Sequence, residues 1–174
     1  VCLGTTVGNS LNNEAFYKAY YNDESPDITE MERYFRSNPS EYVSNHFGFS
    51  GPAVTIANAC SSGTDAIGHG MSWLENDLCD IVLAGGCEEL SHISYLGFSS
   101  LMISSPDPCK PFDKKRSGLN LGEGAAILVL QKEPKVSESA VKLVQYRTAN
   151  DLYHPTAPHP DGKGIRKALE NSIK

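Results

Sequence analysis

Short, strongly apolar runs alternate along this chain with longer stretches in which apolar residues recur at helical spacing. Residues 1–6 form the first apolar run and are expected as a buried strand. Helical spacing follows over 14–21, a polar break over 22–26, and a second short helix over 28–37. Gly48, Gly51 and Pro52 make 45–52 a turn-rich approach to the next element. Residues 53–59 then read as a strand that runs directly into Cys60. Over 61–76 the residues Ala66, Ile67, Gly70, Met71 and Leu74 fall on one broad helix face. Gly68 and Gly70 inside that helix cost on the order of 1 kcal/mol each relative to alanine, which implies that something packs very close to the helix backbone. Residues 80–84 are expected as a strand closed by Gly85-Gly86. The continuous apolar run 124–131 predicts a strand buried on both faces. A strand with partial alternation is expected over 141–149 and a final helix over 164–173. Strands alternating with helices through glycine turns point to a layered α/β fold, with no repeat and no low-complexity linker.

Composition narrows the class. The chain has 174 residues, 40% of them hydrophobic and 21% charged, as in an ordinary globular domain. A net charge of -6 gives no electrostatic support to a nucleic-acid partner, and the cluster Lys114-Lys115-Arg116 reads as a local ion-pairing segment. The apolar runs are too short to cross a bilayer and no basic, hydrophobic leader opens the chain, so no membrane association is expected. The five cysteines are odd in number and lack paired metal-ligand spacing. Neither a disulfide framework nor a metal site is expected, and a reducing cytoplasm is the natural compartment. The chain opens at Val1, inside an expected strand, and is read as a partial domain, 1–174, cut at both ends.

Candidate chemistry concentrates at Asn58-Ala59-Cys60-Ser61-Ser62-Gly63. A cysteine where a strand turns into a helix, among small neighbours, permits a tight turn and close approach of a carbonyl. The helix start presents free N–H groups and a partial positive charge, which favour the nucleophilic thiolate and can stabilise an oxyanion. On spacing alone, a lone cysteine in such a place is more often a small buried apolar residue. Cys2, Cys79, Cys87 and Cys109 have no comparable setting and read as structural or incidental.

Three segments together resemble the β-ketoacyl-ACP synthases of the thiolase-like superfamily. They are Gly51-Pro52 through Cys60-Ser61-Ser62-Gly63, Ala84-Gly85-Gly86-Cys87-Glu88-Glu89, and Pro111-Phe112-Asp113-Lys114-Lys115-Arg116-Ser117-Gly118 running on to Leu121-Gly122-Glu123-Gly124-Ala125-Ala126. The resemblance implies a layered αβαβα thiolase fold, present here in part, and a homodimer. It implies that Cys60 takes an acyl chain from acyl carrier protein and that the carbanion of decarboxylated malonyl-ACP attacks it. No bound cofactor is implied; the phosphopantetheine arm arrives on the carrier protein. Phe98 lies near the family's acyl-pocket aromatic, with a plain core phenylalanine as the competing reading. Tyr153-His154-Pro155-Thr156 is similar to the channel mouth, where Thr156 could hydrogen-bond the arm, with an ordinary turn threonine as the equal alternative. Arg116-Ser117-Gly118-Leu119 departs from the family's Arg-Asp-Gly-Phe, which puts the usual local ion pairing in doubt.

Decarboxylative condensation also needs donors that stabilise an enolate-like charge. The family supplies these from histidines in a His-Gly-Thr and a Gly-His motif, and neither motif occurs here. His46, His69, His92, His154 and His159 read as structural or solvated. The chain alone is therefore expected not to complete condensation. Two other readings remain: a polyketide-type ketosynthase, disfavoured mildly by Ile56-Ala57-Asn58-Ala59-Cys60, and a non-catalytic chain-length-factor-like subunit, disfavoured by the presence of Cys60.

Overall fold

The computed structural model describes residues 1–8, 11–36, 38–132, 141–154 and 157–172. Strand β1 (Cys2–Gly4) is followed by helices α1 (Leu11–Tyr21), α2 (Thr29–Arg36) and α3 (Pro39–Phe47). Strand β2 (Val54–Ile56) leads through a 3-10 turn (Ala59–Ser61) into helix α4 (Ser62–Glu75). Strand β3 (Ile81–Glu88), helix α5 (His92–Ser100), strand β4 (Gly124–Gln131) and helix α6 (Lys163–Ser172) complete the described elements. One sheet has the order β2-β1-β3-β4. The first three strands run parallel, with Cys2 opposite both Val54 and Ala84. β4 runs antiparallel to β3, from Ile81 opposite Gln131 to Glu88 opposite Gly124.

The core forms where α4 lies on the sheet. Ala66, Trp73 and Leu74 pack with Cys2, Val82 and Ala84. Gly70 lets the helix sit close: a Cβ there would lie 2.9 Å from Val82 Cγ1 and 3.2 Å from the Ala84 Cβ. At Gly68 a Cβ would overlap the ring of Tyr146. Both glycines thus meet the close neighbour that their presence inside a helix implied.

Four local expectations need correction. Helix α3 was not legible as apolar periodicity, because the residues it buries are Ser40 and Ser44. Ser40 instead joins the helix to the sheet by polar contacts: its Oγ accepts from Leu3 N at 3.0 Å and donates to Val54 O at 2.7 Å. The helix is set by Asn38, whose side chain accepts from Glu41 N, by Pro39 in the first turn, and by Gly48 at φ 67° after its last residue. Gly85-Gly86 does not end β3 but lies inside it. A Cβ at Gly85 would overlap Ala126 O on the neighbouring strand, so these glycines serve close strand and helix approach. β4 is not buried on both faces: Ile127, Leu128 and Val129 are 44%, 49% and 66% exposed. It is an edge strand, bonded among the described residues to β3 alone. Residues 141–150 form no strand. Alternation does not suffice there, because a strand requires a neighbouring edge to bond with, and Tyr146 instead lays its ring on α4.

Candidate active site

Cys60 stands in the 3-10 turn between β2 and α4 and is exposed. The turn lies beyond the carboxyl ends of the three parallel strands, the usual position for ligand sites in open α/β sheets. Three glycines bring it there. A Cβ on Gly4, at the end of β1, would overlap the backbone of Ser62 and Gly63. A Cβ on Gly86 would lie 3.3 Å from both Gly4 O and Gly63 Cα. The start of α4 therefore rests backbone against backbone on the ends of β1 and β3, an approach that a side chain at Gly4 would block and one at Gly86 would crowd.

The turn itself is strained. Ala59, immediately before the cysteine, has φ 48°, a left-handed conformation that costs a residue bearing a Cβ about 1–3 kcal/mol and persists only where neighbours hold it. Here they do. Ser62 Oγ accepts from Asn58 N at 2.6 Å and donates to Ala59 O at 2.7 Å, bridging the bend. Ser61 N donates to Asn58 O at 3.3 Å. Asp65, one turn into α4, accepts from Asn58 Nδ2 at 2.6 Å and from Ser61 Oγ at 2.8 Å. Tyr146 donates its hydroxyl to the other Asp65 oxygen at 2.5 Å. Partial burial pushes the Asp65 carboxyl up, but the hydrogen bonds from Tyr146, Asn58 and Ser61 outweigh it and hold the group below its usual range.

Cys60 borders a hollow of about 200 Å³ lined also by Thr5, Thr6, Gly63, Gly86, Cys87 and Glu88 among others. Glu88 ties its rim together: Thr5 Oγ1 donates to Oε1 at 3.2 Å and Thr6 N to Oε2 at 2.5 Å. This hollow shares Thr5, Cys87, Glu88 and Gly124 with a larger groove of about 730 Å³ that also carries Glu89 and Glu123. Burial raises the Cys87 thiol, and the charges of Glu88 and Glu89 raise it further. Cys2 is pushed up to about 11 by burial, partly offset by the N-terminal ammonium, and Cys79 is raised chiefly by burial. These three sulfurs are held as thiols.

Of the candidate site residues Cys60, Phe98 and Thr156, it is Cys60 that lines this hollow. Phe98 is on α5, half-buried, and borders neither the hollow nor the groove. Thr156 lies outside the described residues. His69 meets Trp73 edge-on at 5.1 Å, and His46 stacks on Tyr42 and meets Phe47 edge-on. His92 Nδ1 meets Glu14 Oε2 at 2.6 Å. His154 Nδ1 accepts from Ala157 N, and His159 Nδ1 from Asp161 N, both at 3.1 Å. The serine of Arg116-Ser117-Gly118 has its Oγ 2.9 Å from Ser105 Oγ, so a neutral hydroxyl pair stands where an ion pair was in doubt. Among the described residues no cluster of His, Cys, Asp and Glu suits a metal ion, and no helix is long and apolar enough to cross a membrane.

The sequence motifs include Asn58 and Glu88 without giving either a role of its own, and they leave out Asp65 and Tyr146. Ser61 and Asp65 stand four apart, a spacing that lets side chains meet on a helix. Tyr146 is 81 positions from Asp65 and carries no local signal except the helix glycine it covers.

The family model described as Beta-ketoacyl synthase, N-terminal domain, matches residues 1–135. A Schizosaccharomyces pombe protein named for a mitochondrial 3-oxoacyl-[acyl-carrier-protein] synthase is 34% identical over 190 aligned positions, covering 100% of this chain and 44% of its own length. A 3-oxoacyl-[acyl-carrier-protein] synthase 2 from Synechocystis sp. is 34% identical over 140 residues, covering 74% of this chain and 34% of its own. Among solved structures, the ishigamide ketosynthase/chain length factor superposes with a TM-score of 0.85 at 28% identity, over 98% of this chain and 45% of that one. The chain thus spans less than half the length of these relatives.

Proposed function

Because the chain belongs to the β-ketoacyl synthase family, matching its N-terminal domain, we propose that it carries the acyl-accepting half of a decarboxylative Claisen condensation. The Cys60 thiolate attacks the carbonyl carbon of an acyl thioester, and the phosphopantetheine sulfur of acyl carrier protein departs as the leaving group. Malonyl-ACP then loses carbon dioxide, and its carbanion attacks the acyl-cysteine carbonyl. A carbon–carbon bond forms, the Cys60 sulfur is released, and the product is a β-ketoacyl-ACP.

The observation that carries this reading is the setting of Cys60: exposed, at a helix start, on a strained turn beyond the ends of three parallel strands. Backbone N–H groups of that turn are the natural donors to the tetrahedral oxyanion. The carrier-protein substrate is supported by the names of the curated relatives. Phe98 is assigned to the acyl pocket and Thr156 to the phosphopantetheine arm on the resemblance alone. No resident cofactor is needed. A cytoplasmic homodimer completes the reading, and the outer edge of β2, without a strand partner among the described residues, is free to meet a second copy. The two histidines by which the family stabilises the enolate belong to motifs not found in these 174 residues, and the half-reaction proposed for these residues is acyl acceptance.

A ketosynthase that works beside a chain length factor is the second reading, favoured by the fold match to such a pair. The chemistry is the same and the substrates differ. A non-catalytic subunit is disfavoured by the retained, exposed sulfur. The test uses the whole enzyme with acyl-ACP and malonyl-ACP, following β-ketoacyl-ACP by mass. Product from the wild type and none from Cys60→Ala is expected; condensation that survives in Cys60→Ala refutes the assignment.

A further inference from the structure

The residues flanking Cys60 are held from a distance. Asn58 and Ser61, two positions before the cysteine and one after, both donate to the same oxygen of Asp65. The other Asp65 oxygen receives the Tyr146 hydroxyl, whose ring lies on α4 where Gly68 leaves it room. The left-handed Ala59 sits between the two tethered donors. We infer that Asp65 is a positioning residue which, with Tyr146 as its anchor, clamps the strained turn carrying Cys60; this inference rests on reading Cys60 as the acyl acceptor.

The carboxylate suits the task because it can receive three donors at once. Its environment keeps it ionised, and burial together with the neighbouring Asp65 charge keeps the Tyr146 hydroxyl protonated as a donor. Asparagine at 65 has the same shape but accepts at one oxygen only, and its amide would point donors at donors. Relaxing the turn lets Ala59 leave φ 48° and carries the sulfur away from the hollow. The clamp also couples residues 141–150 to the nucleophile, although Tyr146 touches neither the sulfur nor the hollow.

The test is the rate of iodoacetamide alkylation, resolved by peptide mass, at Cys60 and at Cys109, which is also exposed and lies outside this network. Full-length wild type, Asp65→Asn, Tyr146→Phe and the double variant are compared. Losing hydrogen bonds to a charged group should slow Cys60 about tenfold in Asp65→Asn and about threefold in Tyr146→Phe. Cys109 should be unchanged, and the double variant no slower than Asp65→Asn, because the two residues act as one unit. Tyr146→Phe removes one hydroxyl and keeps the ring on Gly68, so it remains informative if Asp65→Asn folds poorly. Cys60 rates within roughly twofold of wild type in both variants, or Cys60 and Cys109 slowing together, overturn the inference. An acyl thioester probe in the wild type separates the two claims. If it labels Cys60 no faster than Cys109, the reading of Cys60 fails; if it labels Cys60 selectively while Asp65→Asn behaves as wild type, only the clamp fails.

Discussion

Cys60 and Cys87 border the same small hollow, yet the chain treats the two sulfurs in opposite ways. Cys87 sits within β3, half-buried, followed by Glu88 and Glu89. Burial and two carboxylates keep its proton on. Cys60 sits at a helix start, exposed, on a turn whose strain is borne by serine, asparagine and aspartate hydrogen bonds rather than by apolar packing. Sharing a cavity does not make two thiols equivalent. What separates them is the backbone each is mounted on: a regular strand ringed by acids, or a bend that opens toward solvent and a helix N-terminus.

The largest effect expected from breaking this contrast is on acyl transfer. Cys60→Ala should abolish acylation of the protein, whereas Cys87→Ala should leave the rate within about twofold, since a small buried residue replaces a thiol that does no chemistry. Next comes the platform under the turn. Gly4→Ala places a methyl into the Ser62–Gly63 backbone, which cannot yield as a flexible side chain would. Overpacking of this kind should cost about 3 kcal/mol in denaturant unfolding and lower Cys60 alkylation with it. Gly68→Ala is milder: its methyl meets the Tyr146 ring, which can swing aside. A loss of about 1–2 kcal/mol is expected, with slower Cys60 labelling as the tyrosine leaves Asp65.

The smallest effect concerns pH. Because burial and then the Glu88 and Glu89 charges raise the Cys87 thiol above the usual 9.0, its thiolate, and hence its alkylation, should appear only at more alkaline pH than for an ordinary cysteine. Glu88→Gln removes one of the two charges and leaves the burial. The Cys87 profile should move down in pH but stay above the ordinary position; no movement would show that Glu88 is not a cause.

Much of this contrast was legible in the residues themselves. The apolar run ending at Cys60, the helical spacing after it and the glycines within that helix placed the nucleophile at a strand-to-helix turn with a close neighbour. The identity of that neighbour was not legible, because a tyrosine 81 positions from its partner leaves no periodic trace. Helix α3 escaped because hydroxyls rather than hydrocarbon face its partner strands. The exposure of β4 escaped for the opposite reason: an apolar run records what a strand is suited to bury against, not what lies beside it among the described residues. Glu88 was visible as a residue but not as a tie, since its partners Thr5 and Thr6 come from the far end of the sequence.

The most direct measurement is the mass of each cysteine peptide after brief mixing of the protein with acyl-ACP in the absence of malonyl-ACP. One added acyl group is expected, carried as a thioester on the Cys60 peptide and released by hydroxylamine, with the Cys87 and Cys109 peptides unmodified. An acyl group distributed over Cys60, Cys87 and Cys109, or none on Cys60, would contradict the assignment of Cys60.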